Sequence, residues 1–208
     1  MNQTKIEYRN GNVYEGEVNE NNEKHGWGKM TYICGDVYDG EWKKDLYHGW
    51  GKITYDNGDV YEGDFVDGAR TGKGTYTWTD GGVYEGDFIE GKRTGKGVRK
   101  YASGSIYEGD FVDGLRTGKG ILTWYYGDVY EGDFVEDART GKGIYTWTDG
   151  DVYEGDFRDG KRTGKGVYKF ANGNIYEGDF VEGKRTGQGK LTLGENFYYV
   201  GSFLNNMF

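Results

Sequence analysis

Residues 61–74 read YEGDFVDGARTGKG, and close copies of this phrase fill most of the chain. The copies include YEGDFIEGKRTGKG at residues 84–97, YEGDFVDGLRTGKG at residues 107–120 and YEGDFRDGKRTGKG at residues 153–166. Self-similarity at a fixed period is the sequence signature of repeat architectures. The phrase therefore predicts a repeat protein, and its period decides the fold.

The period is set by the first tyrosine of each copy. Successive tyrosines are 24 residues apart at the first interval and 23 residues apart at every later one. We predict a single array over residues 1–208, with partial repeats at both ends. The full repeats start at Tyr14, Tyr38, Tyr61, Tyr84, Tyr107, Tyr130, Tyr153 and Tyr176.

One repeat has the pattern of two β-strands. In the first strand Tyr61 and Phe65 alternate with Glu62 and Asp64, so the rings and the carboxylates point to opposite faces. Residues 72–78, which read GKGTYTW, alternate in the same way. The pattern predicts two antiparallel strands per repeat, each with an aromatic face and a polar face.

The segments between the strands predict how they are connected. Within a repeat we expect a loop of about six residues over residues 66–71, and between repeats we expect tight type I′ turns at pairs such as Asn57–Gly58 and Asp80–Gly81. These connections predict an all-β fold, an elongated single-layer antiparallel β-meander built from repeated hairpins.

The glycines explain how one layer could have a core. Gly63 and Gly74 share a face with the large rings, and a glycine beside a ring provides the space that the ring covers. We therefore expect the sheet to bury its aromatic side chains against its own glycines, without a second layer of strands or helices.

Composition narrows the functional classes. The chain has 208 residues, 17% of them aromatic, with a net charge of −9 and a single cysteine, Cys34. No apolar run is long enough to span a membrane, and the acidic balance disfavours nucleic acid as a partner. The single cysteine is typical of a reducing compartment, so we expect a cytoplasmic protein.

Residues that could carry catalysis do not form a convincing group. The recurring TGKG lacks the Ser/Thr and the following helix that a phosphate-binding loop needs. His25, His48 and Cys34 do not make a convincing zinc site. The Glu and Asp of each YEGD phrase are repeated, exposed equivalents rather than a catalytic pair in contrasting environments. We expect no enzymatic activity, no cofactor and no metal.

The repeated phrase resembles the MORN repeat. The resemblance rests on Tyr-x-Gly-x-Phe/Trp followed by Gly-x-Gly at a 23-residue period, and it covers about residues 5–203. Val18, Asp45, Asp137 and Leu193 depart from the pattern. The resemblance implies an elongated β-structure used for binding: protein–protein interaction, self-association or contact with phospholipid head groups, at cytoskeletal or membrane-associated structures.

The first functional hypothesis is a scaffold or adaptor that binds a partner protein through a ring-lined surface. Aromatic rings are favoured binding anchors because they bury a large area at a low entropy cost. The alternative, that the rings are only the core, stays open at this stage. The predicted anchors are Tyr61, Phe65, Trp78, Tyr84, Phe88, Tyr101, Tyr107, Phe111, Trp124, Tyr130, Phe134, Trp147, Tyr153 and Phe157.

The alternative hypothesis is a phospholipid-binding module that tethers the chain to a membrane. One arginine recurs in the same slot of successive repeats, and equivalent residues should lie about 10 Å apart, or two strand spacings. Every repeat also carries Glu and Asp, so we expect lipid binding to be weak or absent. The arginines are Arg70, Arg93, Arg116, Arg139, Arg162 and Arg185.

The third hypothesis concerns assembly. An open sheet exposes an unpaired strand at its edge, which favours pairing with another chain. We therefore predict a homodimer formed through the terminal repeats. The residues predicted to form the contact are Tyr199, Phe203, Leu204, Met207 and Phe208.

Overall fold

The computed structural model describes residues 3–194 and 197–207. These residues fold into two compact units. One contains the residues up to Ala102 together with Val112–Gly114, and the other contains Ser103–Phe111 and the residues from Leu115 onward. All regular elements in the described ranges are strands, and no helix long and apolar enough to cross a membrane occurs there.

The first unit is an antiparallel meander in which each strand pairs with the next strand in the chain. Its strands are β1 (Gln3–Glu7), β2 (Val13–Val18), β3 (Lys24–Thr31), β4 (Val37–Lys43), β5 (Leu46–Thr54), β6 (Val60–Val66), β7 (Ala69–Thr77), β8 (Val83–Ile89) and β9 (Lys92–Lys100).

The second unit repeats this design, and its strands from β11 to β18 again pair in chain order. Both units are therefore all-β, single-layer meanders of repeated hairpins, as the sequence predicted. The strands are β10 (Ile106–Val112), whose last residue is grouped with the first unit, β11 (Leu115–Thr123), β12 (Val129–Val135), β13 (Ala138–Thr146), β14 (Val152–Arg158), β15 (Lys161–Lys169), β16 (Ile175–Val181), β17 (Lys184–Leu193) and β18 (Phe197–Phe203).

The register of each hairpin places rings and glycines on the same face. In the hairpin of β14 and β15, Tyr153 lies opposite Tyr168 and Gly155 lies opposite Gly166. Glu154 lies opposite Val167, on the other face. We call the side that carries these tyrosines and glycines the ring face of a unit, and the other side its acidic face.

The core of each repeat is a tyrosine that lies over two glycines. A Cβ atom added to Gly166 would lie 2.5 Å from Cε2 of Tyr153, and one added to Gly155 would lie 2.5 Å from its hydroxyl oxygen. Tyr153 is 0% exposed, and its ring makes edge-to-face contacts with Phe157 and Phe180 at centroid distances of 5.2 and 4.9 Å. The ring thus fills the space that two absent side chains leave, and a single layer can bury it.

The hairpin turn within a repeat is tighter than the sequence predicted. Val66 pairs with Ala69, so only Asp67 and Gly68 lie in the turn, with φ angles of 48° and 88°. Two consecutive positive φ angles define a type I′ turn. The expected six-residue loop over residues 66–71 is therefore wrong, because the second strand begins immediately after the glycine.

The connection between repeats is correspondingly longer than predicted. The Trp78 N–H donates to Gly82 O at 2.9 Å, and the Gly81 N–H donates to Trp78 O at 3.0 Å. Gly81 has a positive φ of 87°, whereas Asp80 does not have a positive φ. The predicted type I′ turn at Asp80–Gly81 is wrong: the Asp80 carboxylate accepts the Gly82 N–H at 2.8 Å, as an Asx turn does, and the loop has three residues.

Two departures from the repeat pattern are compensated locally. Asp45 and Asp137 replace the turn glycine yet adopt φ angles of 67° and 69°. The Asp137 carboxylate accepts the Arg116 backbone N–H at 3.0 Å and pairs with its Nε at 2.8 Å. Asp45 accepts the Lys24 N–H at 2.9 Å and pairs with its Nζ. These contacts offset the strain of a left-handed conformation at a non-glycine residue.

Candidate protein-binding site

The first tyrosine and the phenylalanine of each phrase lie in the core. Burial leaves no surface for a partner to contact, so for these rings the structure corrects the expectation that they are anchors. The set comprises Tyr61, Phe65, Tyr84, Phe88, Tyr107, Phe111, Tyr130, Phe134, Tyr153 and Phe157, and none of them is more than 4% exposed.

The remaining predicted anchors are half-buried rings where the second strand of a repeat ends. They are Trp78, Tyr101, Trp124 and Trp147. These rings keep accessible surface on the ring face and stay predicted anchors.

In the second unit, further rings lie beside the predicted tryptophans and form a row with them; all are half-buried except Tyr145, which is buried. Tyr145 lies 5.2 Å from Trp124 and 4.3 Å from Trp147, measured between ring centroids. Tyr168 lies 5.3 Å from Trp147 and 4.6 Å from Phe170. We call these five residues the ring row. Tyr145, Tyr168 and Phe170 were missed, although they occupy the same alternating positions as the tryptophans.

Aspartates of the inter-repeat loops hold the ring row in place. The Asp128 carboxylate accepts the Tyr145 hydroxyl at 2.6 Å and the Thr148 N–H at 3.0 Å, so one side chain connects two successive repeats. Burial, and then the hydrogen bond to Asp128, raises the pKa of Tyr145. Asp151 makes the equivalent contacts with Tyr168 and the Ala171 N–H. These hydrogen bonds fix the rings of Tyr145 and Tyr168, so these two side chains have little conformational entropy left to lose on binding.

Arginines stack beside the ring row and connect the repeats. The Arg139 Cζ lies 5.3 Å from the ring centroids of Trp124 and Tyr145, and its Nη2 donates to Gly160 O at 2.9 Å. Arg162 lies 5.2 Å from the Trp147 ring, again measured from Cζ. Arg185 lies 5.5 Å from the Phe170 ring. Each guanidinium has the geometry of a cation–π contact.

The same kind of contact engages all six arginines of the phospholipid-binding hypothesis. Each of these arginines stacks on rings, and one of its guanidinium nitrogens donates to a turn carbonyl. The six are Arg70, Arg93, Arg116, Arg139, Arg162 and Arg185. These contacts fix each guanidinium beside rings, and every repeat also carries Glu and Asp, whose charge opposes binding to an anionic lipid surface. Weak or absent lipid binding therefore stays our prediction.

The arginines that stack beside the ring row carry a positive charge that no carboxylate of the described residues neutralises. Among the described residues, Arg139, Arg162 and Arg185 form no ion pair with a carboxylate. Burial lowers the pKa of the Arg139 guanidinium, but arginine stays protonated at neutral pH. The ring row is thus a cationic and aromatic surface on a chain whose net charge is −9.

The ring row includes a concave site. A shallow cavity of about 220 Å³ lies between Arg162 and Arg185 and is lined by Tyr168, Phe170 and Phe180. Its walls are aromatic, and its polar lining combines the two guanidiniums with Gly183 and Asn206, whose oxygens accept from Arg162 and Arg185. The rings and the cationic groups suit a side chain with apolar atoms and an acceptor. In the described residues no group of three or more His, Cys, Asp or Glu is arranged to hold a metal ion.

The predicted dimer residues fall into different environments. Phe203 is 3% exposed and packs on Tyr176 at a centroid distance of 4.8 Å, so it belongs to the core. Tyr199 is half-buried, whereas Leu204 and Met207 are 65% and 68% exposed. Phe208 lies outside the described residues. Leu204 and Met207 are therefore the predicted contact residues that the structure leaves accessible.

We expect the double substitution Leu204→Lys and Met207→Lys to convert a dimer into a monomer, because two charges would have to be desolvated in the contact. Sedimentation at tens of micromolar would measure the change. Val135→Lys is the matched control, since Val135 is also exposed in the second unit, at 55%, but lies in β12, which does not pair with β17 or β18. An unchanged wild-type chain that sediments as a monomer would contradict the prediction.

Comparison with known proteins identifies the repeat. A family model for the MORN repeat matches seven contiguous segments: residues 38–60, 61–83, 84–106, 107–129, 130–152, 153–175 and 176–195. A search of curated proteins finds no similar sequence.

Solved structures resemble the fold at low sequence identity. The G-box domain of the microcephaly protein CPAP aligns with a TM-score of 0.50 and 13% identity, over 98% of this chain and 100% of that chain. The SAS-4 (dCPAP) TCP domain of Drosophila melanogaster, in complex with a proline-rich motif of Ana2, aligns with a TM-score of 0.47 and 12% identity, over 83% of this chain and 86% of that chain. The seven matched segments cover most of the sequence, and the chain belongs to the MORN-repeat family.

Proposed function

We propose that this chain is a non-enzymatic scaffold whose ring row binds an extended segment of a partner protein. The observation that carries the proposal is the row itself: Trp124, Trp147 and Phe170 are half-buried rings at one position of successive repeats, with an arginine stacked beside each. A MORN-repeat fold fits a protein-binding scaffold. A location at cytoskeletal or membrane-associated structures stays a prediction.

The spacing of the row indicates the conformation of the bound segment. Equivalent residues of successive repeats are two strands apart, which corresponds to about 9.6 Å. A polyproline II helix has three residues per turn and a rise of about 3.1 Å per residue, so it advances about 9.3 Å per turn. A segment of this conformation that runs across the strands would present every third residue to the same slot of each repeat.

The chemistry of the row indicates which residues the segment carries. The rings provide flat apolar surfaces of the kind on which proline-rich segments dock. Arg139, Arg162 and Arg185 have no carboxylate partner among the described residues, so an acidic side chain of the segment would complement them. We infer that the partner segment is rich in proline and has an acidic residue at every third position.

The test uses three labelled peptides and fluorescence anisotropy. The first consists of four Pro-Pro-Glu triplets, the second has the same composition with the prolines and glutamates in two blocks, and the third has lysine in place of glutamate. We expect the triplet peptide to bind at least several times more tightly than the other two. Equal affinity for the triplet and block peptides would contradict the proposed spacing.

Variants locate the site. We expect Trp147→Leu to weaken binding of the triplet peptide by about 1–2 kcal/mol, since truncation of a central aromatic anchor commonly has this effect. Trp50→Leu is the matched control, because Trp50 is a half-exposed tryptophan outside the ring row. Vesicles with anionic lipid complete the test: strong vesicle binding that Arg139→Gln abolishes, with no peptide bound, would favour the phospholipid alternative.

A further inference from the structure

Two tryptophans are exposed on the acidic face of the first unit, opposite its buried tyrosines. Trp27 is 50% exposed and Trp50 is 45% exposed, and their ring centroids lie 6.2 Å apart with a tilt of 43°. They occupy the middle position of Gly-x-Gly in the first two repeats. The core does not require them, because later repeats fold with lysine at this position.

In those later repeats the lysine neutralises a carboxylate on the next strand. Lys73 pairs with Asp87 at 2.7 Å, and Lys119 pairs with Asp133 at 2.6 Å. In both cases the two residues lie directly opposite each other in the register of the sheet. The normal role of the position is therefore to supply a positive charge to the acidic face.

Tryptophan at this position leaves the corresponding carboxylates without a cation. Trp27 lies opposite Glu41 and Trp50 lies opposite Asp64. Glu41 accepts the Trp50 N–H at 3.0 Å, and Asp64 accepts the Lys73 N–H at 3.1 Å. Within the described part of the chain, neither carboxylate forms an ion pair. Each keeps unused acceptor positions beside an exposed indole ring.

The surface around Glu41 and Asp64 is also negatively charged. Lys52 is already paired with Glu62, at 2.6 Å. The neighbouring charged residues of this face are Glu15, Glu17, Asp39, Glu41, Glu62 and Asp64 against Lys29, Lys43 and Lys52, so carboxylates outnumber lysines. An apolar segment that docked here would desolvate these carboxylates without compensation.

We propose that Trp27 and Trp50, with Glu41 and Asp64, form a docking surface for a basic segment of a partner protein. An arginine or lysine of that segment takes the place of the absent lysine: its charge lies against the indole rings and within reach of a carboxylate. A cation over an indole face and a charge-assisted hydrogen bond to a carboxylate are both favourable. Arginine fits better, because its planar guanidinium can stack on the ring and donate to the carboxylate together.

This surface is independent of the ring row, which lies on the ring face of the second unit.

The probe for its test is a fluorescein-labelled hexa-arginine peptide, with hexa-glutamate as the negative control, in anisotropy titrations. The main variant is Trp27→Lys with Trp50→Lys. It introduces the residue that later repeats carry, so it should fold, and each new lysine can pair with Glu41 or Asp64. We expect it to bind hexa-arginine at least about tenfold more weakly.

Two further variants separate ring recognition from net charge. Ile121→Lys with Ile144→Lys adds the same two charges on the acidic face of the second unit, at positions that are 40% and 39% exposed. We expect this pair to bind hexa-arginine within about twofold of the unchanged chain, because the proposed surface is intact. Trp27→Phe with Trp50→Phe keeps aromatic faces and should retain more affinity than the lysine variant.

Three results would overturn the proposal. Equal weakening by the two lysine pairs would mean that the peptide responds only to net charge. Unchanged binding by Trp27→Lys with Trp50→Lys would place the peptide elsewhere. Sedimentation that shows a dimer of the unchanged chain and a monomer of the Trp27→Lys, Trp50→Lys variant would assign the surface to a second copy of this chain.

Discussion

Replacing Gly166 by alanine is expected to lower the free energy of unfolding by about 2–3 kcal/mol, because overpacking of a tight core has effects of this size. The new methyl group would lie 2.5 Å from Cε2 of the buried Tyr153 ring and 2.6 Å from its hydroxyl oxygen. The ring cannot move away easily, because Phe157 and Phe180 pack against it and its hydroxyl donates to Asp156 O at 3.0 Å. Urea denaturation followed by circular dichroism measures the change.

The matched control is the same glycine substitution in a chain that lacks the ring. Tyr153→Ala alone should cost about 3–5 kcal/mol, as for other large aromatic residues of a core. In that background Gly166→Ala should be nearly neutral, because the atoms that it would contact are gone. If both substitutions simply add, the proposed role of glycine as the seat of the ring is wrong.

Alkaline pH is expected to unfold the protein steeply. The first tyrosine of each full repeat is fully buried, and burial raises the pKa of Tyr84 and Tyr130 to about 12. An unfolded tyrosine ionises near pH 10, so each buried tyrosine contributes stability that is complete below about pH 10 and is lost as the pH rises toward about 12. The loss is about 1.4 kcal/mol per pH unit for each tyrosine that ionises on unfolding.

Two measurements check this expectation. Phenolate absorbance should show that the buried first tyrosines of the repeats ionise only when the circular dichroism of the folded sheet is lost. Tyr130→Phe is the control, because it removes one ionisable group and one hydrogen bond to Asp133 O, and its unfolding should depend less steeply on pH above 10. Ionisation of all tyrosines in one step near pH 10, with the fold retained, would contradict the prediction.

The sequence determined the architecture of this protein because every repeat carries the same pattern of rings, glycines and carboxylates along its strands. Alternation fixes which side chains of a strand share a face. A glycine beside a tyrosine on that face leaves the space that the tyrosine ring fills. The pairing of Tyr153 with Tyr168 and of Gly155 with Gly166 follows from that pattern. The resemblance to the MORN repeat could also be recognised from the sequence, because the motif Tyr-x-Gly-x-Phe/Trp with its following Gly-x-Gly recurs every 23 residues.

The turns could not be predicted correctly because Asp-Gly occurs in both connections, and the pair alone does not fix the loop length. At Asp67–Gly68 the backbone has two positive φ angles, so the turn has two residues. At Asp80–Gly81 the aspartate accepts a backbone N–H two residues later, which favours a three-residue loop. Only the register of the neighbouring strands distinguishes these cases.

Tertiary structure also decided which rings are available for binding. In the sequence Tyr153 and Trp147 are both large aromatic residues at strand positions. In the fold Tyr153 is covered by phenylalanines of its own repeat and of the next, whereas Trp147 lies just beyond the end of β13 and stays half-buried. Burial depends on what the adjacent repeat places over a ring. Composition and spacing within one repeat therefore determine the fold, and contacts between repeats determine which rings stay accessible.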